Sequence, residues 1–156
     1  MFDLIVAYDE KRGIGHDGTI PWDCPVDLKY FKRITSTVED EDKANLVIMG
    51  RKTWESIPRK HRPLVDRVNV IISRTMVNPN IENVIICRSM DQVVQFVNLN
   101  KKNIEKAFII GGSSIYQQFL DQNFVKTLYV SKISGQYHCD VFFPLIKGRF
   151  NVRTQQ

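Results

Sequence analysis

The feature that most constrains this chain is an alternation. Six short apolar runs rich in β-branched residues, FDLIVA (2–7), NLVIMG (45–50), RVNVIIS (67–73), NVIIC (83–87), KAFIIGG (106–112) and KTLYVSKI (126–133), are spaced by helical patterns at DLKYFKRIT, KTWESI, SMDQVVQFVNL and SSIYQQFLDQN. Most of the runs are continuously apolar rather than alternating, as strands buried on both faces are. Strand, helix, strand, helix leads to an α/β domain with a largely parallel sheet and right-handed crossovers. Val6, Ala7, Val47, Ile48, Ile109 and Ile110 are its expected core. At 156 residues and 43% hydrophobic content, one domain covering 1–156 is expected.

Cys24, Cys87 and Cys139 make an odd count with no CxxC pair, which argues against a disulfide framework and against a zinc site. His16, His61 and His138 lie in loops without ligand spacing, so no metal is expected. The opening MFDLIVAYDE has no basic n-region, and no apolar run approaches membrane-spanning length; a cytoplasmic, reduced protein without a membrane partner is the expectation. The net charge of +5 could serve nucleic acid, an anionic surface or a polyanionic small ligand. Its basic residues are scattered through KRG, DLKYFKR, GRKTW, PRKHR and SRT at element ends, without the dense basic face of a nucleic-acid binder. A small polyanion therefore fits better. The acidic TVEDEDKAN (37–45) reads as an exposed loop, and residues 9–25, with Gly13, Gly15, Gly18, Pro21 and Pro25, as a long irregular loop of the kind that serves as a lid.

Asp27 is the outlier of the first helix. Counting from it, Phe31 and Ile34 fall at i+4 and i+7 and share its face, whereas Lys29, Lys32 and Arg33 point elsewhere. A carboxylate aimed at apolar surface costs free energy unless a polar or cationic group meets it there. That group can be a substrate, which makes Asp27 the acid–base candidate. Two strand-to-helix junctions add anion-binding potential. In LVIMGRKTW, Gly50 ends a strand and Arg51, Lys52 and Thr53 open a helix; GxxxxGK[ST] is not met, and the bland reading is a solvated basic turn. In AFIIGGSSIYQQFL, Gly111 and Gly112 leave a strand while Ser113 and Ser114 can cap a helix; the bland reading is a tight turn with an ordinary N-cap. Two such junctions in one sheet favour a dinucleotide.

Taken together, LIVAYDEKRGIGHDGTIPW, DLKYFKRIT, VIMGRKTWESIP, RPLVDRVNVIISR, FIIGGSSIYQQFL, LYVSKI and CDVFFP follow, in order over residues 2 to about 144, the pattern of a known family: the chain resembles dihydrofolate reductase, its PRKHRPL segment the eukaryotic branch. The resemblance implies a three-layer α/β/α fold with a mostly parallel central sheet. It also implies reduction of 7,8-dihydrofolate to tetrahydrofolate, with NADPH as cofactor and antifolates as further ligands. Asp27 matches the carboxylate that orients the pterin and promotes N5 protonation through water, Trp22 the indole that helps hold that water, and Ser131 a supporting hydroxyl, usually Thr. Ile5, Ala7, Leu28, Phe31, Ile57, Leu64 and Ile110 match substrate-lining positions, and Arg67 the partner of the glutamate α-carboxylate. On the cofactor side the matches are Ala7, Ile14 and Ile20 around nicotinamide, and Gly50, Thr53, Gly111, Gly112, Ser113, Ser114, Ile115 and Tyr116 along the phosphates and nicotinamide. Arg51, Lys52, Ser73 and Arg74 match the 2′-phosphate patch, and loss of that phosphate would leave three cations unpaired.

Departures from the family pattern carry their own expectations. After FFP only LIKGRFNVRTQQ follows, so the final antiparallel strand is expected to be missing and the KTLYVSKI edge bare. A domain cut from a fusion, for instance with thymidylate synthase, an edge completed by another chain and a complete but weakened enzyme all remain open. Cys24 replaces a larger apolar or basic residue, and Val65-Asp66 replaces a Pro-Gly turn, so Asp66 could compete for the Arg67 guanidinium. The alternatives to a reductase of dihydrofolate are the reductase of riboflavin synthesis, which shares the fold but lacks the Trp22 and Asp27 pair, and a non-catalytic folate- or nucleotide-binding protein.

Overall fold

The computed structural model describes residues 1–146 and 150–152. In chain order the elements are β1 (Phe2–Tyr8), β2 (Gly13–Gly15), α1 (Pro25–Ser36), β3 (Ala44–Gly50), α2 (Arg51–Ser56), a 3-10 turn (Arg59–His61), β4 (Arg67–Ile72), β5 (Val84–Cys87), α3 (Met90–Leu99), β6 (Ile104–Gly111), α4 (Ser113–Asp121), β7 (Val125–Lys132) and β8 (Val141–Phe142). All six apolar runs form strands and all four periodic stretches form helices, with ends within about two residues of the sequence pattern. α4 stops short of Asn123, which takes a left-handed φ of 56°.

Six strands form one sheet in the order β5-β4-β3-β6-β1-β7, and every neighbouring pair is parallel. Successive side chains of each strand leave on opposite faces, which explains the continuous apolar runs. Leu4, Val6, Leu46, Ile48, Val70 and Ile109 pack on one side with Val93 of α3 and with Ile115 and Phe119 of α4. Ile5, Val47, Met49, Ile71 and Phe108 pack on the other with Trp54 of α2 and with Tyr30, Phe31 and Ile34 of α1. The result is three layers, α/β/α. Of the expected core, Val6, Val47, Ile48 and Ile109 are buried, whereas Ala7 and Ile110 are half-buried because they stand near the C-terminal ends of β1 and β6.

Topology places the crevice. From β3 the chain turns through α2 to β4 on one side, and from β6 it turns through α4 to β7 on the other, so two adjacent strands send their connections apart. The C-terminal ends of such a pair open the cleft where α/β proteins hold ligands. Both glycine-bearing junctions lie there.

One feature differs from the sequence expectation. The loop 9–25 is not wholly irregular: β2 pairs antiparallel with β8 as a separate two-stranded ribbon. Among the described residues β7 has β1 as its one strand partner. The expectation about a final antiparallel strand falls partly on residues 147–149 and 153–156, which lie outside the described residues.

Candidate active site

Pro25 at the first helical position starts α1, and Asp27 falls in its first turn, where the N-terminal dipole favours an acid. As the periodicity indicates, Phe31 and Ile34 lean on the sheet while Lys29, Lys32 and Arg33 are exposed. Asp27 is half-buried with no cation paired to it among the described ion pairs. Burial pushes its carboxyl above the ordinary range, and the Ser131 hydroxyl works in the opposite sense. Ser131 is in register with Ala7 on the neighbouring strand, so the carboxylate, the hydroxyl and the end of β1 form one corner of the cleft. Trp22 stacks edge-on against Tyr137, with ring centroids 5.4 Å apart.

The apolar positions sort by face. Ile5, Phe31, Ile57, Leu64 and Ile110 gather on the α1 side, and Ile14, Ile115 and Tyr116 on the α4 side. Leu28 and Ile20, each 61% exposed, stand at the surface. Between the two faces the junctions meet. Met49 is in register with Gly111, and a Cβ on either Gly111 or Gly112 would lie 3.5 Å from the Thr53 hydroxyl. Gly111 has φ +129°, which glycine alone adopts without strain.

Several sequence expectations need correction here. Ser113 and Ser114 do not cap α4: the N-cap is Gly112, no side chain closes the helix start, and the Ser113 hydroxyl donates to the Phe142 carbonyl instead at 3.2 Å. The Ser114 hydroxyl accepts from Gln118. Arg51 is not an unpaired cation, since its Nε donates to Glu55 one helical turn on at 2.9 Å. Lys52 and Arg74 are exposed and in none of the described ion pairs. The Ser73 hydroxyl accepts from the Met76 amide at 3.0 Å, shaping a turn that Arg88 clamps through the Ser73 and Met76 carbonyls. Tyr116 spends its hydroxyl internally: it lies 2.9 Å from the Ile5 carbonyl and 2.8 Å from that of Ile110, and complete burial keeps it protonated.

Asp66 forms no ion pair with Arg67. It occupies the left-handed region at φ 62°, taking over the backbone task of a turn glycine. Arg67 is 4% exposed; its Nε donates to Val65 O at 2.8 Å and its Nη1 to the Thr35 hydroxyl at 3.0 Å. Burial lowers its pKa, partly offset by the nearby Asp66 charge.

The loop beside the cleft is held in its first half. Asp9 accepts from the amides of Gly13, Lys11 and Tyr137 at 2.8, 2.9 and 3.1 Å. Arg12 bonds Phe143 through both its side chain and its carbonyl, and the Asp140 amide donates to Gly15. A Cβ at Gly13 would collide with the Cys139 side chain. Residues 17–24 carry no strand.

Sequence reasoning passed over Asp9, Thr35, Asn69, Arg88 and Tyr137. Thr35 and Asn69 had a usable signal, a polar residue on an otherwise buried face. Asp9, Arg88 and Tyr137 had none, because their partners are set by loop geometry.

The fold and the cleft define the class: an α/β domain with a cleft at the C-terminal ends of parallel strands, a carboxylate outside the described ion pairs on one wall and a glycine cradle beside it. The model of the family described as dihydrofolate reductase matches residues 1–156. The chain is 40% identical over 149 residues to the bifunctional dihydrofolate reductase-thymidylate synthase 2 of Arabidopsis thaliana, covering 93% of this chain and 26% of that protein. It is 40% identical over 148 residues to dihydrofolate reductase of Mus musculus, covering 92% of this chain and 79% of that protein, and 37% identical over 150 residues to the Drosophila melanogaster enzyme, covering 96% and 82%. It spans only about a quarter of the plant bifunctional relatives. The chain belongs to the dihydrofolate reductase family.

Proposed function

We propose that this chain reduces 7,8-dihydrofolate to 5,6,7,8-tetrahydrofolate with NADPH. The observation that carries the reading is Asp27, a half-buried carboxylate on an apolar wall that forms an ion pair with no cation among the described residues. The dihydropterin ring offers the missing partner as two parallel N–H donors, one on the ring and one on the exocyclic amine. Paired this way, Asp27 fixes the ring against Phe31 and Ile5. With its pKa raised, it also promotes protonation at N5 through water, which makes C6 the better hydride acceptor.

The residues at the switch point suit a dinucleotide phosphate. A cradle without Cβ atoms at Gly111 and Gly112, the Thr53 hydroxyl beside it, the start of α4 left without a side-chain cap, and the exposed Lys52 and Arg74 supply donors and charge for anions. NADPH bound there supplies the hydride. Ala7 and Ile14, both half-buried, exclude water from the reacting faces, and Trp22, braced by Tyr137, covers the proton path.

Antifolates carrying the same paired donors are expected at Asp27. The plant relatives join this reductase to thymidylate synthase by name, and the β7 edge is where a further strand or chain would associate with this one. The test is absorbance at the NADPH band with dihydrofolate added. Oxidation dependent on both reactants supports the proposal; binding without turnover would favour a non-catalytic folate-binding protein.

A further inference from the structure

Ile20 to Asp23 lead into α1, and none of the described hydrogen bonds reaches them. Trp22 is half-buried all the same, and its indole meets Tyr137 edge-on, with ring centroids 5.4 Å and planes 65° apart. That is a favoured geometry for an aromatic pair, in which the edge of one ring meets the face of the other. Tyr137 is itself fastened to the sheet. Its amide donates to Asp9 at 3.1 Å, and Gly135 exchanges hydrogen bonds with Glu10: the Gly135 amide donates to Oε1 and the Gly135 carbonyl accepts from the Glu10 amide, both at 3.1 Å. Asp9 and Glu10 follow directly on β1. Gly135, at φ +99°, also runs close to the ring, so that a Cβ there would stand 3.5 Å from it. The Tyr137 hydroxyl takes part in none of the described hydrogen bonds, which leaves the ring as the part that meets Trp22.

Resting on the function proposed above, we infer that Tyr137 is a positioning residue for proton delivery: its ring, anchored through Asp9 and Glu10 to the end of β1, fixes the Trp22 indole beside the path by which N5 receives its proton. It acts through Trp22 and not on a reactant. β1 ends in the corner that Asp27 and Ser131 share, so one strand end sets the spacing between the indole and the carboxylate. Small displacements of a group that orders a reacting water are costly, and an indole without hydrogen bonds has only this packing to prevent them.

The experiment compares the full chain with Tyr137→Leu, which keeps bulk and loses the aromatic ring, and Tyr137→Phe, which loses only the hydroxyl. Labelling with 5-fluorotryptophan gives one fluorine resonance for each of the two tryptophans, buried Trp54 reporting on the fold and Trp22 on the brace. In the Leu variant the Trp22 resonance should move and broaden while that of Trp54 stays in place, and Phe should restore the parent spectrum. Turnover of dihydrofolate by the Leu variant at neutral pH should fall about fivefold, the strength of one aromatic pair, with the Michaelis constant and the NADPH Kd within about twofold of the parent. The deficit should shrink as pH falls, because N5 is then protonated without an ordered water. A Trp22 resonance unmoved by Leu, a Trp54 resonance displaced with it, a Phe variant as defective as Leu, or a deficit equal at every pH would overturn the assignment. Absence of turnover in the parent would remove the proposed function, and the Trp22 resonance would still decide whether Tyr137 fixes the indole.

Discussion

Asp9 and Asp27 flank the same loop, and their surroundings are opposites. Asp9, 2% exposed, is saturated: burial alone would raise its pKa, but amides of Gly13, Tyr137 and Lys11 and the Cys139 thiol outweigh it and hold the carboxyl below the usual range. Burial carries the pKa of Asp27 upward, and among the described residues the Ser131 hydroxyl alone opposes it. A carboxylate that the fold satisfies belongs to the scaffold, whereas one that the fold leaves short of donors is available to a ligand. Two acids with pKa values pushed apart thus flank one loop, one spent on structure and the other left available to a ligand.

The sharpest way to break this contrast is Asp27→Asn. Steady-state turnover of dihydrofolate at neutral pH should fall by about two orders of magnitude or more, as loss of a positioned proton-transfer group does, while NADPH affinity is retained. Thermal unfolding of the same variant at pH 7 should occur at the parent temperature or slightly above, because the amide removes a burdened charge. Normal turnover would place Asp27 outside the chemistry. Asp9→Asn should do the reverse. Denaturant titration should show a loss of about 2 kcal/mol, since at least one amide donor loses a charged acceptor in a buried site, with dihydrofolate affinity little changed.

pH sharpens the comparison further, with opposite signs. The lowered pKa of Asp9 means its stabilisation is present above the ordinary value of 3.8 and is lost as pH falls through the folded-state value. The raised pKa of Asp27 means its contribution is present below 3.8 and is lost as pH rises through the folded-state value. Stability of each variant against the parent, measured from acid to neutral pH, should therefore converge toward acid for Asp9→Asn and turn in favour of the variant toward neutral for Asp27→Asn. Turnover of the parent should decline as pH rises, with a midpoint above 3.8.

The smallest effect concerns the far end of the cleft. Asp66→Gly relieves a left-handed φ of 62° and should stabilise by under about 1 kcal/mol, because asparatic acid tolerates that region and glycine adds chain entropy. With no ion pair between Asp66 and Arg67, the Michaelis constant for dihydrofolate should fall by less than about twofold. A larger drop would mean that the Asp66 charge competes for the guanidinium at long range.

Much of this architecture is legible in the residues themselves. Continuous runs such as NLVIMG announce strands covered on both faces, and Asp27 stands out because helical periodicity shows where it points. The same rule, applied eight residues on, would have found Thr35. The Arg51–Glu55 pair is equally legible, since Glu55 stands at i+4, a pairing that sequence can show. The misplaced cap at Ser113 has a different cause: N-cap and first helical residue differ by one position, and periodicity does not resolve that offset. Nothing in the sequence could reveal the tie between Asp9 and Tyr137 or the β2–β8 ribbon, because the partners lie more than a hundred residues apart and follow no period.

That separation has a consequence for the order of assembly on the ribosome. Gly13–Gly15 and the carboxylate of Asp9 emerge early, but Tyr137, Asp140 and Phe143, which hold them, are synthesised more than a hundred residues later. A nascent chain can build α1 and pair β3 with β4 long before then, yet its wall beside the cleft stays unfastened until this late segment arrives. Closure of this contact therefore comes after translation has passed Phe143, and it carries the loop-closure entropy of more than a hundred intervening residues.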